Sequence, residues 1–83
     1  MNIDDRYVAE AEDWIKKAVE TDKQNGMQWH LAMDYASLAN VYKRKGDPSK
    51  ALDNLNTALE IFKECGADGW VERYEKERRS LKT

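Results

Sequence analysis

Nucleophilic chemistry in this chain would have to be built from one cysteine and one histidine, Cys65 and His30. Their positions put His30 at the opening of one helical stretch and Cys65 at the close of the next, so an antiparallel helix pair brings those ends near each other. A working couple also needs a group to orient the imidazole and surroundings that favour the thiolate. No orienting residue is evident, and the negative end of a helix dipole disfavours a thiolate at Cys65. Cys65 therefore reads as a half-buried structural residue. His30 and Asp34 stand four apart on one helix face, a two-ligand beginning for a metal site. A divalent ion wants three or four protein ligands, and no further donor has suitable spacing. Glu10, Glu12 and Asp13 lie beside Lys16 and Lys17, a cluster that ion pairs along a helix explain without acid/base catalysis. There is no glycine-rich phosphate loop. The expectation is a protein with no catalytic residues, no metal and no cofactor.

The elements that carry these residues follow from periodicity and punctuation. The chain has 83 residues, 41% hydrophobic and 36% charged, enough for one domain (1–83) with a small core. Pro48 is the only proline, and Gly26, Gly46, Gly66 and Gly69 divide the chain into stretches of roughly 4–24, 28–45, 48–64 and 69–82. Each has helical rather than alternating periodicity. In the first, Tyr7, Val8, Ala11, Trp14, Ile15, Ala18 and Val19 form one broad stripe, and Trp14 is expected in the core. In the third, Ala51, Leu52, Leu55, Ala58, Leu59 and Phe62 do the same. The second is apolar around more of its circumference, as a helix packed on several sides must be, which makes it the central element. Cationic Lys43, Arg44 and Lys45 before Gly46, then Asp47 as N-cap and Pro48 as first helical residue, give the sharpest turn signal. Asp68 or Gly69 is the expected cap of the last helix. Trp29 and Trp70 both open a helix and are expected to pack equivalently on the neighbouring hairpin, an exposed aromatic anchor being the alternative. The fourth helix, with Trp70, Val71, Tyr74 and Leu81 on a narrow stripe and charge elsewhere, suits the capping end of a helical stack.

Ala11, Ile15, Ala18 and Gly26 recur forty residues later as Ala51, Leu55, Ala58 and Gly66, within elements of matching type and length. Two helices per unit at such a period belong to helical solenoids. From Tyr35 to Ala58 the chain resembles a tetratricopeptide repeat. Tyr35, Leu38, Ala39, Tyr42, Gly46, Asp47, Ala51, Leu55 and Ala58 stand where that motif places its signature. Tyr35 replaces the family's usual tryptophan, Ala39 a common glycine, and Lys63 the final proline. The period exceeds the usual length of about 34, and is similar to the extended variety found in kinesin light chains and in bacterial regulatory proteins. The resemblance covers about sixty residues: one full repeat with half-repeats on both sides. It implies an all-α fold of four antiparallel helices forming two stacked hairpins in a right-handed superhelix.

The resemblance also implies a function: a scaffold that binds a peptide or helix of another protein. Its concave surface would be lined on the second helix by Met33, Ala36, Ser37, Asn40, Lys43 and Arg44, free of packing. Asn40 matches an asparagine often used in the family to hydrogen-bond a bound peptide. The chaperone-tail carboxylate clamp also needs a lysine four residues earlier, where this chain has Ala36. Lys43 and Arg44 favour an acidic segment. A second reading is self-assembly into a homo-oligomer through uncovered solenoid ends. Residues 1–26 carry an excess of acids and residues 70–83 an excess of bases, and a first helix without a predecessor exposes an apolar face. Nucleic acid is disfavoured by a formal net charge of −2 and by the glutamates interspersed around Arg78 and Arg79. No stretch reaches the roughly 20 apolar residues of a membrane span, the N-terminus is acidic where a secretory signal is basic, and a lone thiol suits a reducing compartment. Cytoplasmic residence is the expectation.

Overall fold

A computed structural model of the chain describes residues 5–82, with side chains for 8–81. The outermost residues of the expected domain, including residue 4 of its first helix, lie outside the described residues. All four expected helices are present: α1 (Asp5–Gln24), α2 (Gln28–Arg44), α3 (Pro48–Glu64) and α4 (Asp68–Lys82). The boundaries differ from expectation by one residue at two ends. Lys45 caps α2 instead of continuing it, and Asp68 lies inside the first turn of α4, where its charge suits the helix dipole.

The three turns share one geometry. Gly26, Gly46 and Gly66 adopt φ of 66°, 79° and 70°. Each glycine N–H donates to a lysine carbonyl three residues back (Lys23, Lys43, Lys63), and the N–H after it donates to the carbonyl of Asp22, Tyr42 or Phe62. This paired pattern satisfies carbonyls left over at a helix end, and its left-handed position suits glycine. After the second turn, the Asp47 carboxylate accepts from the Lys50 N–H at 3.2 Å, and Pro48 occupies the first helical position. Such short links force each helix to run back along its predecessor. Helix backbones approach closely only between chain neighbours, most extensively α2 with α3.

The α2–α3 seam is closed to solvent. Ala39 is nearly inaccessible, Ala51 and Ala58 are completely so, and Leu55, Leu59 and Phe62 are the largest fully buried side chains. Side chains no larger than methyl let the helices approach, and the larger residues between them fill the remaining space. Two groups of buried residues result. One joins Val19 of α1 to Leu31, Leu38 and Tyr42 of α2 and Ala51 of α3. The other joins Ala32 and Ala36 to Ala58 and Phe62, with Trp70, Val71 and Tyr74 of α4 laid against it. α2 thus touches the other three helices, the central role that its apolar circumference predicts.

Polar contacts fix α1 on α2. Glu12 accepts from the Tyr42 hydroxyl at 2.7 Å and from the Lys45 ammonium at 2.7 Å, and pairs with Lys16 at 3.0 Å. The bond from Lys45, with those from Tyr42 and Lys16, holds the Glu12 carboxyl at about 2, well below the usual carboxylate value. The i,i+4 pair expected along α1 therefore exists, but its main business is between helices. α4 is held by stacking: Phe62 against Trp70 and Tyr74, with ring centroids 6.0 and 5.7 Å apart, plus a 3.2 Å bond from Arg78 to Asn56.

Trp14 corrects the expected core. It is 77% exposed, whereas Val8 and Val19 of the same stripe are buried. At 3.6 residues per turn Trp14 lies about 120–140° around α1 from those valines. One neighbour, α2, covers only the valine side of an arc wider than a single helix can cover.

Replacing Ala58 by leucine in the closed seam is expected to destabilise the fold by about 1–3 kcal/mol, read from the denaturant midpoint. Glu12→Gln, which keeps the shape and removes the charge facing Tyr42 and Lys45, is expected to cost about 1–3 kcal/mol in the same assay.

Candidate groove along the second helix

The residues expected to face a partner divide according to what the neighbouring helices do. Ser37 and Asn40 are exposed and stand at the centre of α2. To one side they border a cleft of 260 Å³ shared with Val8, Ala11 and Ile15 of α1, and with Val41 and Arg44 of α2. To the other side they border a cleft of 250 Å³ shared with Ala36 and with Arg73, Tyr74 and Glu77 of α4. Three of the expected residues, Ser37, Asn40 and Arg44, therefore line open space.

Two of the others, Ala36 and Met33, are packed and not free as expected. Ala36 touches the second cleft but is only 7% exposed, packed into the core group with Ala58 and Phe62. Met33 is half-buried and lies against the same group, so it supports α4 and is not free of packing. Both lie on the side of α2 that α4 approaches. Lys43 is exposed but lines neither cleft.

The α4 wall was not anticipated, because its charge density reads as a capping surface. The signal was nonetheless present. A shift of forty residues carries Met33 and Ser37 onto Arg73 and Glu77, which line the second cleft. The Arg73 guanidinium lies 5.5 Å from the Trp70 ring centroid and 6.0 Å from that of Tyr74, an aromatic platform that steadies the cation and leaves its donors available. Trp29 and Trp70 do not pack equivalently. They meet edge to face with centroids 6.0 Å apart, Trp70 half-buried in the stack and Trp29 41% exposed.

The remaining candidates for chemistry are dispersed. Cys65 caps α3 and is exposed, not half-buried. His30 is exposed and meets Trp29 edge-on at 5.5 Å. Asp34 turns towards Asp22 of α1. Burial first, and then the hydrogen bond with Asp22 and the negative charge of that neighbour, raise its carboxyl to about 7. Its Oδ2 is enclosed and has no donor from the rest of the protein. A retained proton resolves both facts, since a neutral carboxyl donates to Asp22 where two carboxylates would repel. Among the described residues, no group of three or more histidine, cysteine, aspartate or glutamate side chains is arranged to hold a metal ion, and no helix is long and apolar enough to cross a membrane.

No protein-family model, curated protein or solved structure matches the chain.

Asp34 has a folded-state value of about 7 against an ordinary 3.8, so its stabilisation is complete below 3.8 and is lost as pH rises through 7. Melting temperature is expected to fall from mildly acidic to mildly alkaline pH, and Asp34→Asn, neutral throughout, is expected to flatten that dependence.

Proposed function

We propose that this chain is a protein-interaction module of the tetratricopeptide-like kind, which captures a short segment of another protein along α2 and catalyses nothing. The observation that carries the reading is the position of Ser37 and Asn40, exposed between two clefts that three helices wall. A segment lying across them meets apolar surface from Val8, Ala11 and Ile15 on one flank. On the other it meets Arg73, Tyr74 and Glu77. Asn40 offers two amide donors and an acceptor to a peptide backbone, a role that the family resemblance also implies.

The balance of charge favours an acidic segment. Arg44 borders the first cleft and Arg73 the second, against Glu77 alone, and a guanidinium fork can pair with a carboxylate through two parallel bonds. Arg73 borders a further hollow of 260 Å³ with Gly69 and Trp70, which extends this surface towards the partly exposed Trp29. Cytoplasmic residence remains part of the proposal, on the strength of the lone thiol.

The test combines capture and mapping. Proteins retained from a lysate by the wild type are expected to be lost by Asn40→Ala/Arg44→Ala/Arg73→Ala, with affinity for an identified acidic segment reduced by about tenfold or more. Nuclear magnetic resonance titration with that segment is expected to shift the amides around Ser37, Asn40 and Arg73. Retention of full affinity by the triple variant moves the site off α2.

A further inference from the structure

The largest exposed apolar side chain, Trp14, lies outside the groove and has a setting of its own. It stands at the midpoint of α1 (Asp5–Gln24). Ala11 and Ala18, three before and four after, share its face, and with Ile15 they are only half-buried. Forty residues on, the corresponding Ala51, Leu55 and Ala58 are covered completely, because α2 lies on them. α1 thus carries the same kind of helix-accepting surface, with small residues either side of a central position, and among the described residues no helix occupies it.

The charges beside that surface say what fits it. Residues 11–18 read Ala-Glu-Asp-Trp-Ile-Lys-Lys-Ala. Reversed end to end, small residues fall on small, apolar on apolar and acid on base. Glu12 is committed to Tyr42 and Lys45, and Lys16 to Glu12. The exposed charges left along the Trp14 flank are Glu10 and Asp13 in the first half of the helix, and Lys17 and then Glu20 in the second. A parallel two-fold neighbour would carry this flank to the opposite side of the pair and leave its charges without a complement. An antiparallel one sets Glu10 and Asp13 opposite Lys17 of its mate, and Lys17 opposite their counterparts, on the same side of the pair.

We propose that two copies of this chain associate through α1, antiparallel about a two-fold axis near Trp14, with each indole seated beside the alanines of the other copy. A surface complementary to itself under reversal is what an isologous interface requires. The buried aromatic supplies the affinity, and the flanking charges set direction and register. One helix face is a small interface, so the association is concentration-dependent. The cleft between α2 and α4 includes no residue of α1 and remains open in the pair. Ala11 and Ile15 also border the first cleft, so pairing through α1 bears on that side of the groove. The two readings are told apart by their variants: association is read from the mass of Trp14→Ala, and the groove from Asn40→Ala/Arg44→Ala/Arg73→Ala, whose positions all lie outside α1.

Sedimentation equilibrium of the full chain tests it. Over about 10–500 micromolar at low salt, the average mass is expected to climb from 9.7 kDa towards twice that value. Trp14→Ala is expected to weaken association by about 30-fold or more while the helical circular dichroism is unchanged. Lys17→Glu alone, and Glu10→Lys with Asp13→Lys alone, are each expected to give monomers, whereas their equimolar mixture recovers the dimer mass. A constant mass of 9.7 kDa for the wild type overturns the proposal. So does undiminished association of Trp14→Ala, or failure of the two charge variants to pair with each other.

Discussion

Close approach of α2 to α3 governs how the rest of the molecule is arranged. Ala51 and Ala58 are wholly enclosed, the first grouped with Leu31, Leu38 and Tyr42 of α2 and the second with Ala32 and Ala36. Alanine side chains add little bulk between two helices, so backbone separation is set by the residues that fill the spaces beside them, chiefly Leu55, Leu59 and Phe62. The last of these reaches beyond the pair. Its ring forms the floor on which Trp70 and Tyr74 lie, so the seam also determines where α4 sits, and with it the second wall of the groove.

On the other flank, α1 is attached by two carboxyl groups of opposite habit. Glu12 is held as an anion by Lys45, Tyr42 and Lys16, whereas Asp34 is held as an acid by burial and by Asp22. One loses its contribution as protons are added, the other as they are removed. The attachment of α1 is therefore firmest in the mildly acidic interval where both habits are satisfied. Since Val8, Ala11 and Ile15 form the apolar side of the first cleft, any loosening of α1 also alters the groove.

Helices and turns were legible because their signals are local: a glycine after a run of cations, an aspartate before the one proline, an apolar period of three and four. Burial along α1 was not. Periodicity defines an apolar arc, but only the number of covering helices decides which part of it is enclosed, and Trp14 lies beyond the reach of α2. Glu12 was legible as a helix ion pair and illegible as a link between helices, since Tyr42 and Lys45 follow it at separations of 30 and 33 residues. In the groove, Ser37, Asn40 and Arg44 could be found from α2 alone. Met33 and Ala36 could not be recognised as packed without the position of α4, and Arg73 and Glu77 required carrying the forty-residue offset one step further.

The three glycine turns bear on how this chain acquires its shape. Each closes a helix through bonds made within six residues, and close backbone approaches between helices join only successive ones. Few distant segments must find each other, so little loop entropy is spent before contacts form, which places the chain among rapid folders. Order can spread outward from the central hairpin in either direction. α1 and α4, each with a single close backbone neighbour among the described helices, have the fewest contacts to lose when they open.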